Sequence, residues 1–176
     1  DAYVDHPSFG TAIISRLLEA EGYKVGVLAQ PRYTDCEDFK RFGKPKYGFF
    51  IGGGNVDSMV SHYSVAKIPR AEDEYSPGGK GGARPDRSAT VYTRLAKQAY
   101  PDLPVILEAS LRRFAHYDYW LDTVLPSIAE DSGADIISFG MGEHQTVEIA
   151  RRLAAGEPVE SITDVDGTCY LTDFDH

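Results

Sequence analysis

Cysteine is scarce in this chain of 176 residues, which holds only Cys36 and Cys169. Two thiols so far apart make neither a disulfide framework nor a zinc signature, so a reduced, cytoplasmic setting is the expectation. No apolar run approaches the ~20 residues that a membrane-spanning helix needs, and no signal-peptide pattern is read at the start. Basic residues are outnumbered, 18 Lys and Arg against 27 Asp and Glu, for a formal net charge of -9. That balance argues against non-specific nucleic-acid binding, because a phosphate backbone would repel it. There is no Gly-x-Ser-x-Gly elbow, so a serine hydrolase has little support. No internal repeat is visible.

What is present is ordinary for a globular domain: 42% hydrophobic and 26% charged residues. The length suits one domain over residues 1–176, large enough to bury a core without staples. Helical spacing is read over Ser8–Gly22, Val56–His62, Ser88–Tyr100, Val124–Glu130 and Glu143–Ala155, with a short helical piece over Asp35–Arg41. Buried strands are expected at Lys24–Ala29, Lys46–Ile51, Val105–Leu107 and Asp135–Phe139, and a small edge strand at Thr168–Thr172. Alternating strands and helices, joined by long crossovers, give an α/β fold with a mainly parallel sheet. The opening Asp1–Gly10 reads as a loop, and the order loop, helix, strand lacks the strand that should feed it. A strand before Asp1, or another segment in its slot, is therefore expected.

The chain is organised around Leu107–Trp120, which follows directly on the apolar run Val105-Ile106-Leu107. Within fourteen residues it holds Glu108, Arg112, Arg113, His116, Tyr117, Tyr119 and the only tryptophan. Such polar and aromatic density just past a strand end marks the ligand crevice of an open α/β sheet. The plainer alternative is an amphipathic surface helix with Leu111, Phe114 and Tyr117 turned inward. On this topology the crevice gathers Arg112, Arg113, His116, Tyr117 and Tyr119 with Gly52 to Asn55, Gly140 to Glu143 and the Asp5-His6 loop.

Other motifs carry less. Gly52-Gly53-Gly54-Asn55 after a strand allows close ligand approach or a tight turn. Residues 67–87 show no periodicity, and a loop of that length is usually functional or disordered. Its Pro77-Gly78-Gly79-Lys80-Gly81 is no P-loop, because no hydroxyl follows the lysine. Lys80, Arg84 and Arg87 before a helix N-terminus favour an anion, although a flexible loop without ligand is the commoner case. Gly140-Met141-Gly142 lacks the third glycine of a dinucleotide fingerprint, since position 145 is Gln145. His144 reads as an ordinary surface residue. Asp5, His6 and His62 are acid–base or metal groups only if they converge with His116 and Glu108, and isolated histidines are usually structural or exposed.

Several stretches resemble the N-terminal region of the YgiQ-type radical SAM family. They are Asp5-His6-Pro7-Ser8-Phe9-Gly10, Asp57-Ser58-Met59-Val60, Tyr75-Ser76-Pro77-Gly78-Gly79, Arg84-Pro85-Asp86-Arg87 and the block from Glu108 to Trp120. Gly140-Met141-Gly142-Glu143 and Arg151–Pro158 extend the match over nearly the whole chain. A broader likeness, from Asp135 to Tyr170, is to the cobalamin-binding-like domain that precedes many radical SAM barrels. The resemblance implies a Rossmann-like or flavodoxin-like three-layer domain, lacking its first strand in this chain and capping a catalytic barrel. It further implies a 4Fe-4S cluster and S-adenosylmethionine, held by a Cys-x3-Cys-x2-Cys motif in a downstream radical SAM domain of the same polypeptide. None of these is expected within residues 1–176, whose two cysteines cannot supply three close thiolates.

Two departures stand out: no strand precedes the stretch at Asp1, and a Gly-Gly-Ile is absent between Leu107 and Glu108. The Asp-x-His-x-x-Gly motif is also missing, because Asp5-His6 has the wrong spacing, which puts cobalamin in doubt. The residues expected to bind a small ligand are Asp5, His6, Ser8, Gly53, Gly54, Asn55, Asp57, Glu108, Ser110, Arg112, Arg113, His116, Tyr117, Tyr119, Gly140, Gly142 and Glu143, with no metal site. Two functions compete: an accessory domain shaping substrate access to a radical SAM barrel, and a self-standing module for an anionic metabolite or nucleotide.

Overall fold

A computed structural model of the chain describes residues 9–53, 58–108 and 115–172, with the backbone alone at His116. Its centre is a four-stranded sheet built from β1 (Phe49–Gly52), β2 (Val105–Glu108), β5 (Ile136–Ser138) and β6 (Thr168–Cys169), in that spatial order. β1, β2 and β5 run parallel, and β6 closes one edge antiparallel to β5. A separate antiparallel hairpin joins β3 (His116–Asp118) to β4 (Thr123–Leu125). The helices are α1 (Gly10–Ala20), α2 (Ser58–His62), α3 (Ser88–Ala99), α4 (Ile128–Ser132) and α5 (Glu143–Ala154).

β2 shows how three apolar residues in a row serve a strand buried on both faces. Val105 packs with Phe39, Tyr92, Leu95 and Ala96, and Leu107 packs with Ile128, Ala129, Ala134 and Ile137. Ile106 turns the other way, to Ile136, Ile149 and Ile162. Thus α3 and α4 cover one face and α5 the other, giving three layers around a mainly parallel sheet. This is a Rossmann-like or flavodoxin-like α/β arrangement. Asp135, just before β5, accepts from Lys97 Nζ at 2.5 Å and from the Val105 amide at 2.7 Å, which ties α3 to the start of both central strands.

Four sequence expectations change. Lys24–Ala29 is apolar enough for a strand but has no ladder partner among the described residues, and it runs as irregular chain with Leu28 packed against the core. A strand needs hydrogen bonds to a neighbour, and among the described residues β1 pairs only with β2. The expected helix over Val124–Glu130 is divided: β4 ends at Leu125, and α4 starts after Ser127, whose hydroxyl accepts from the Glu130 amide at 3.4 Å. Pro126 explains the break, since it lacks an N–H and clashes with the preceding helical turn. The helical piece near residue 38 is a 3-10 turn over Glu37–Lys40. Tyr117, considered for the inner face of a surface helix, lies in β3. Ser8, Asn55 and most of the opening loop lie outside the described residues.

The long segment 67–87 is ordered by its charges. Asp73 and Arg84 are 1% and 2% exposed and form a bidentate pair, both contacts 2.7 Å. Ser76 Oγ and the Tyr75 amide also donate to Asp73, at 2.7 and 3.1 Å. Burial alone would raise this carboxyl, but Arg84, Ser76 and Tyr75 hold it down at about 2. His62 Nδ1 lies 2.8 Å from Asp86, whose other oxygen accepts from Tyr63 OH at 2.9 Å. With Met59 N donating to Asp86 O, these contacts bind α2 to the end of the loop.

Candidate functional site

Parallel strands end on the same edge of a sheet, so the loops that follow them share one crevice. Here Gly52, Glu108 and Ser138 stand side by side at the C-terminal ends of β1, β2 and β5. The side chain of Glu108 lies between two glycines. A Cβ on Gly52 would sit 3.6 Å from Glu108 Oε2, and one on Gly142 would sit 3.6 Å from Oε1 and 3.8 Å from Ser138 Oγ. Gly142 occupies the N-cap of α5 at φ +77°, a conformation that favours glycine, and makes no side-chain cap. The missing side chains leave room around the carboxyl.

The chemistry of this row is unbalanced. Glu108 finds no hydrogen-bond partner among the described residues, and its carboxyl is raised above its ordinary value, first by burial and then by the charge of Glu143. Ser138 is 1% exposed, and its hydroxyl has no hydrogen-bond partner among the described residues. A half-buried acid that is easily protonated, a free hydroxyl and a helix N-terminus can together hold a polar ligand group and exchange a proton with it. An acid with a raised folded value makes the native state bind more protons, so stability falls as pH climbs above the ordinary carboxylate range. Glu108→Gln is therefore expected to stabilise the protein at pH 7–8, with the gain vanishing near pH 4. Urea midpoints of both proteins across that range check this; a loss of stability at neutral pH would contradict it.

The hairpin is tethered at the same edge. Asp118, on β3, accepts from Arg87 at 2.6 Å and from the Leu121 amide at 2.8 Å. Burial pushes this carboxyl up, but these bonds outweigh it and lower it. Arg87 immediately precedes α3, whose Ala89 lies 3.7 Å from where a Gly53 Cβ would be, just past β1. Lys67 donates to Tyr119 O at 2.8 Å and lies over the Tyr119 ring, while Trp120 packs on Tyr63 with ring centroids 5.1 Å apart.

Of the residues expected to bind a ligand, Glu108, Gly142 and Glu143 come together, with Gly53 at the end of β1 and Gly140 leading into Gly142. Tyr117 and Tyr119 have partners of their own: Tyr117 donates to Asp122, and Tyr119 sits beneath Lys67. Asp5, His6, Ser8, Gly54, Asn55, Asp57, Ser110, Arg112, Arg113 and the His116 side chain lie outside the described residues. Sequence reasoning placed Gly52 in the crevice but missed Ser138 beside Glu108. The signal was available, since Ser138 is the last polar residue of the expected strand Asp135–Phe139. It also left Arg84 open as one of three basic residues favouring an anion, whereas Arg84 is committed to Asp73. Two open grooves lie elsewhere, one along His144, Glu148, Arg152 and Asp164 and one between Asp135, Ile162 and Leu171.

The described residues do not fit an iron–sulfur cluster. Cys36 is buried in the core, Cys169 is on β6, and no three His, Cys, Asp or Glu side chains among the described residues converge. Cobalamin finds no imidazole in the crevice among them either, because His62 is tied to Asp86 and His144 is exposed on α5. No described helix is long and apolar enough to cross a membrane.

A family model described as radical SAM N-terminal matches residues 1–176. Among similar proteins, a UPF0313 protein of Clostridium botulinum is 56% identical over 174 residues, covering 97% of this chain and 27% of that protein. A UPF0313 protein of Methanosarcina mazei is 55% identical over 173 residues, 97% of this chain and 28% of its own length. One from Pseudomonas putida is 52% identical over 174 residues, 97% of this chain and 23% of its own. The chain thus spans about a quarter of the length of these relatives. No solved structure matches it.

Proposed function

This chain belongs to the radical SAM N-terminal family, and we propose that it is the accessory domain of a longer radical SAM polypeptide, shaping substrate access to a catalytic barrel. The observation that carries the reading is the row Gly52, Glu108, Ser138, with Glu108 lying between two glycines at the sheet edge where α/β domains hold ligands. The cluster and S-adenosylmethionine belong to the rest of the polypeptide and supply the radical chemistry there. Glu108 and Ser138 position a polar substrate group, and Gly142 keeps space for it. Burial first, and then the charge of Glu143 in the first turn of α5, keep Glu108 inclined to hold its proton. The crevice therefore offers either a donor or an acceptor to the bound group. Asp5, His6, Asn55, Asp57, Arg112, Arg113 and His116 are assigned to the same access path.

The test uses the reduced full-length protein and release of 5′-deoxyadenosine from S-adenosylmethionine. A metabolite fraction containing the substrate is expected to stimulate release at least tenfold, and Glu108→Gln or Gly142→Val to abolish the stimulation. Iron content and unstimulated release should be unchanged. Stimulation that survives both substitutions would remove the crevice from the substrate path, and equal loss of all three readouts would reduce it to a structural role.

A further inference from the structure

The β3–β4 hairpin has two unlike faces. A two-stranded hairpin is marginally stable by itself and needs a packed face. Its inner side has one: Asp118 is 7% exposed and bound to Arg87, and Trp120 rests on Tyr63. Its outer side has none among the described residues. Tyr117 and Val124 are cross-strand neighbours, yet they are 59% and 66% exposed. Tyr119 and Leu121 follow in the turn and are exposed as well. Lys67, which clamps that turn, lies between Val65 and Ile68, also exposed.

Exposed apolar side chains scattered singly are ordinary, but six gathered on one anchored unit mark an interaction surface. Tyrosine suits such surfaces because it offers a large ring with a polar tip. The nearby charged groups have partners within the unit: Lys67 donates to Tyr119 O, and Asp122 accepts from the Tyr117 hydroxyl. The clamps at Arg87 and Lys67 also fix the hairpin before any partner arrives, which lowers the ordering cost of binding.

We propose that Tyr117 and Val124, with Tyr119, Leu121, Val65 and Ile68 around them, form the surface on which the remainder of the full-length polypeptide packs. The occupant follows from length and position. The chain spans 27% of the Clostridium botulinum relative, so most of such a polypeptide lies outside this domain. The hairpin is tethered at the crevice edge, through Arg87, α3 and Gly53. A domain seated there would border the Glu108 crevice. This inference rests on the accessory-domain reading for the identity of its partner.

The test places a photoreactive benzophenone amino acid at Tyr117, and separately at Val124, in the full-length protein. A third protein carries it at Arg16 on α1, whose side chain is 84% exposed, as a control. Both hairpin positions are expected to cross-link within the same polypeptide to residues outside 1–176, at least tenfold above the control. Cross-links to a second copy, cross-links confined to residues 1–176, or yields no higher than at Arg16 would overturn the proposal. Iron content of the same preparations separates the two ideas. Cross-links to the remainder in a protein that assembles no cluster would keep the docking surface and refute the radical SAM reading. A protein with its cluster but without the cross-links refutes the docking surface alone.

Discussion

Replacing Arg84 with methionine will cost the protein about 3–5 kcal/mol of stability at neutral pH, the penalty for leaving a buried carboxylate without its partner. Asp73 is 1% exposed and accepts from Arg84 through two 2.7 Å contacts. Ser76 and the Tyr75 amide cannot neutralise its charge. Exchanging Asp73 and Arg84 together for apolar residues of similar volume will cost less than the single change, because no charge is then stranded. The recovery will be incomplete, since the Ser76 hydroxyl and Tyr75 amide lose their acceptor. Equal losses in single and double variants would contradict this account of the loop.

The same pair sets an acid limit. Asp73 falls from the ordinary 3.8 to about 2 in the folded protein, so the native state holds fewer protons than the unfolded chain between those values. Its contribution is fully present above pH 4 and is lost as pH falls toward 2. At 1.36 kcal/mol per pH unit this amounts to roughly 2 kcal/mol. Urea midpoints measured from pH 5 to pH 2 should fall more steeply in the parent protein than in the double variant.

Leu107→Ala is expected to cost about 2–5 kcal/mol, the range for large-to-small changes in a core that cannot collapse. Leu107 is 0% exposed on the central strand and packs with Ile128, Ala129, Ala134 and Ile137, from α4 and β5 and the turn between them. The next residue is Glu108, so the same cavity should loosen the crevice. A change under about 1 kcal/mol in the urea midpoint analysis would show that α4 follows the truncated side chain inward.

How much of this was legible differs by element. Val105-Ile106-Leu107 and Ile136-Ile137 announce strands buried on both faces, because only such strands tolerate unbroken apolar runs. α3 and α5 follow from 3.6-residue spacing, and both occur within a residue of the expected ends. The hairpin was hidden. Its turn contains no glycine and relies on Asp122 at φ +53°, while the polar and aromatic residues of β3 resemble a binding loop. Lys24–Ala29 failed for the opposite reason: composition suits a strand, but pairing is a property of neighbours. Asp73 and Arg84 are eleven residues apart across Pro77-Gly78-Gly79, and nothing in local pattern pairs two charges at that distance. Of the site, the strand-end rule located Glu108, Gly142 and Glu143 together; it could not show that Arg84 was already occupied.

On the reading we propose, radical chemistry in this family resides outside the domain that carries the crevice. The direct measurement is iron per polypeptide after anaerobic reconstitution, with cleavage of S-adenosylmethionine, on the full-length protein and on residues 1–176. About four iron atoms and reductive cleavage are expected for the full-length protein, and neither for residues 1–176, whose two cysteines cannot leave one iron of a cluster open. A stoichiometric cluster and cleavage on residues 1–176, or a full-length protein with no cluster, would contradict the account.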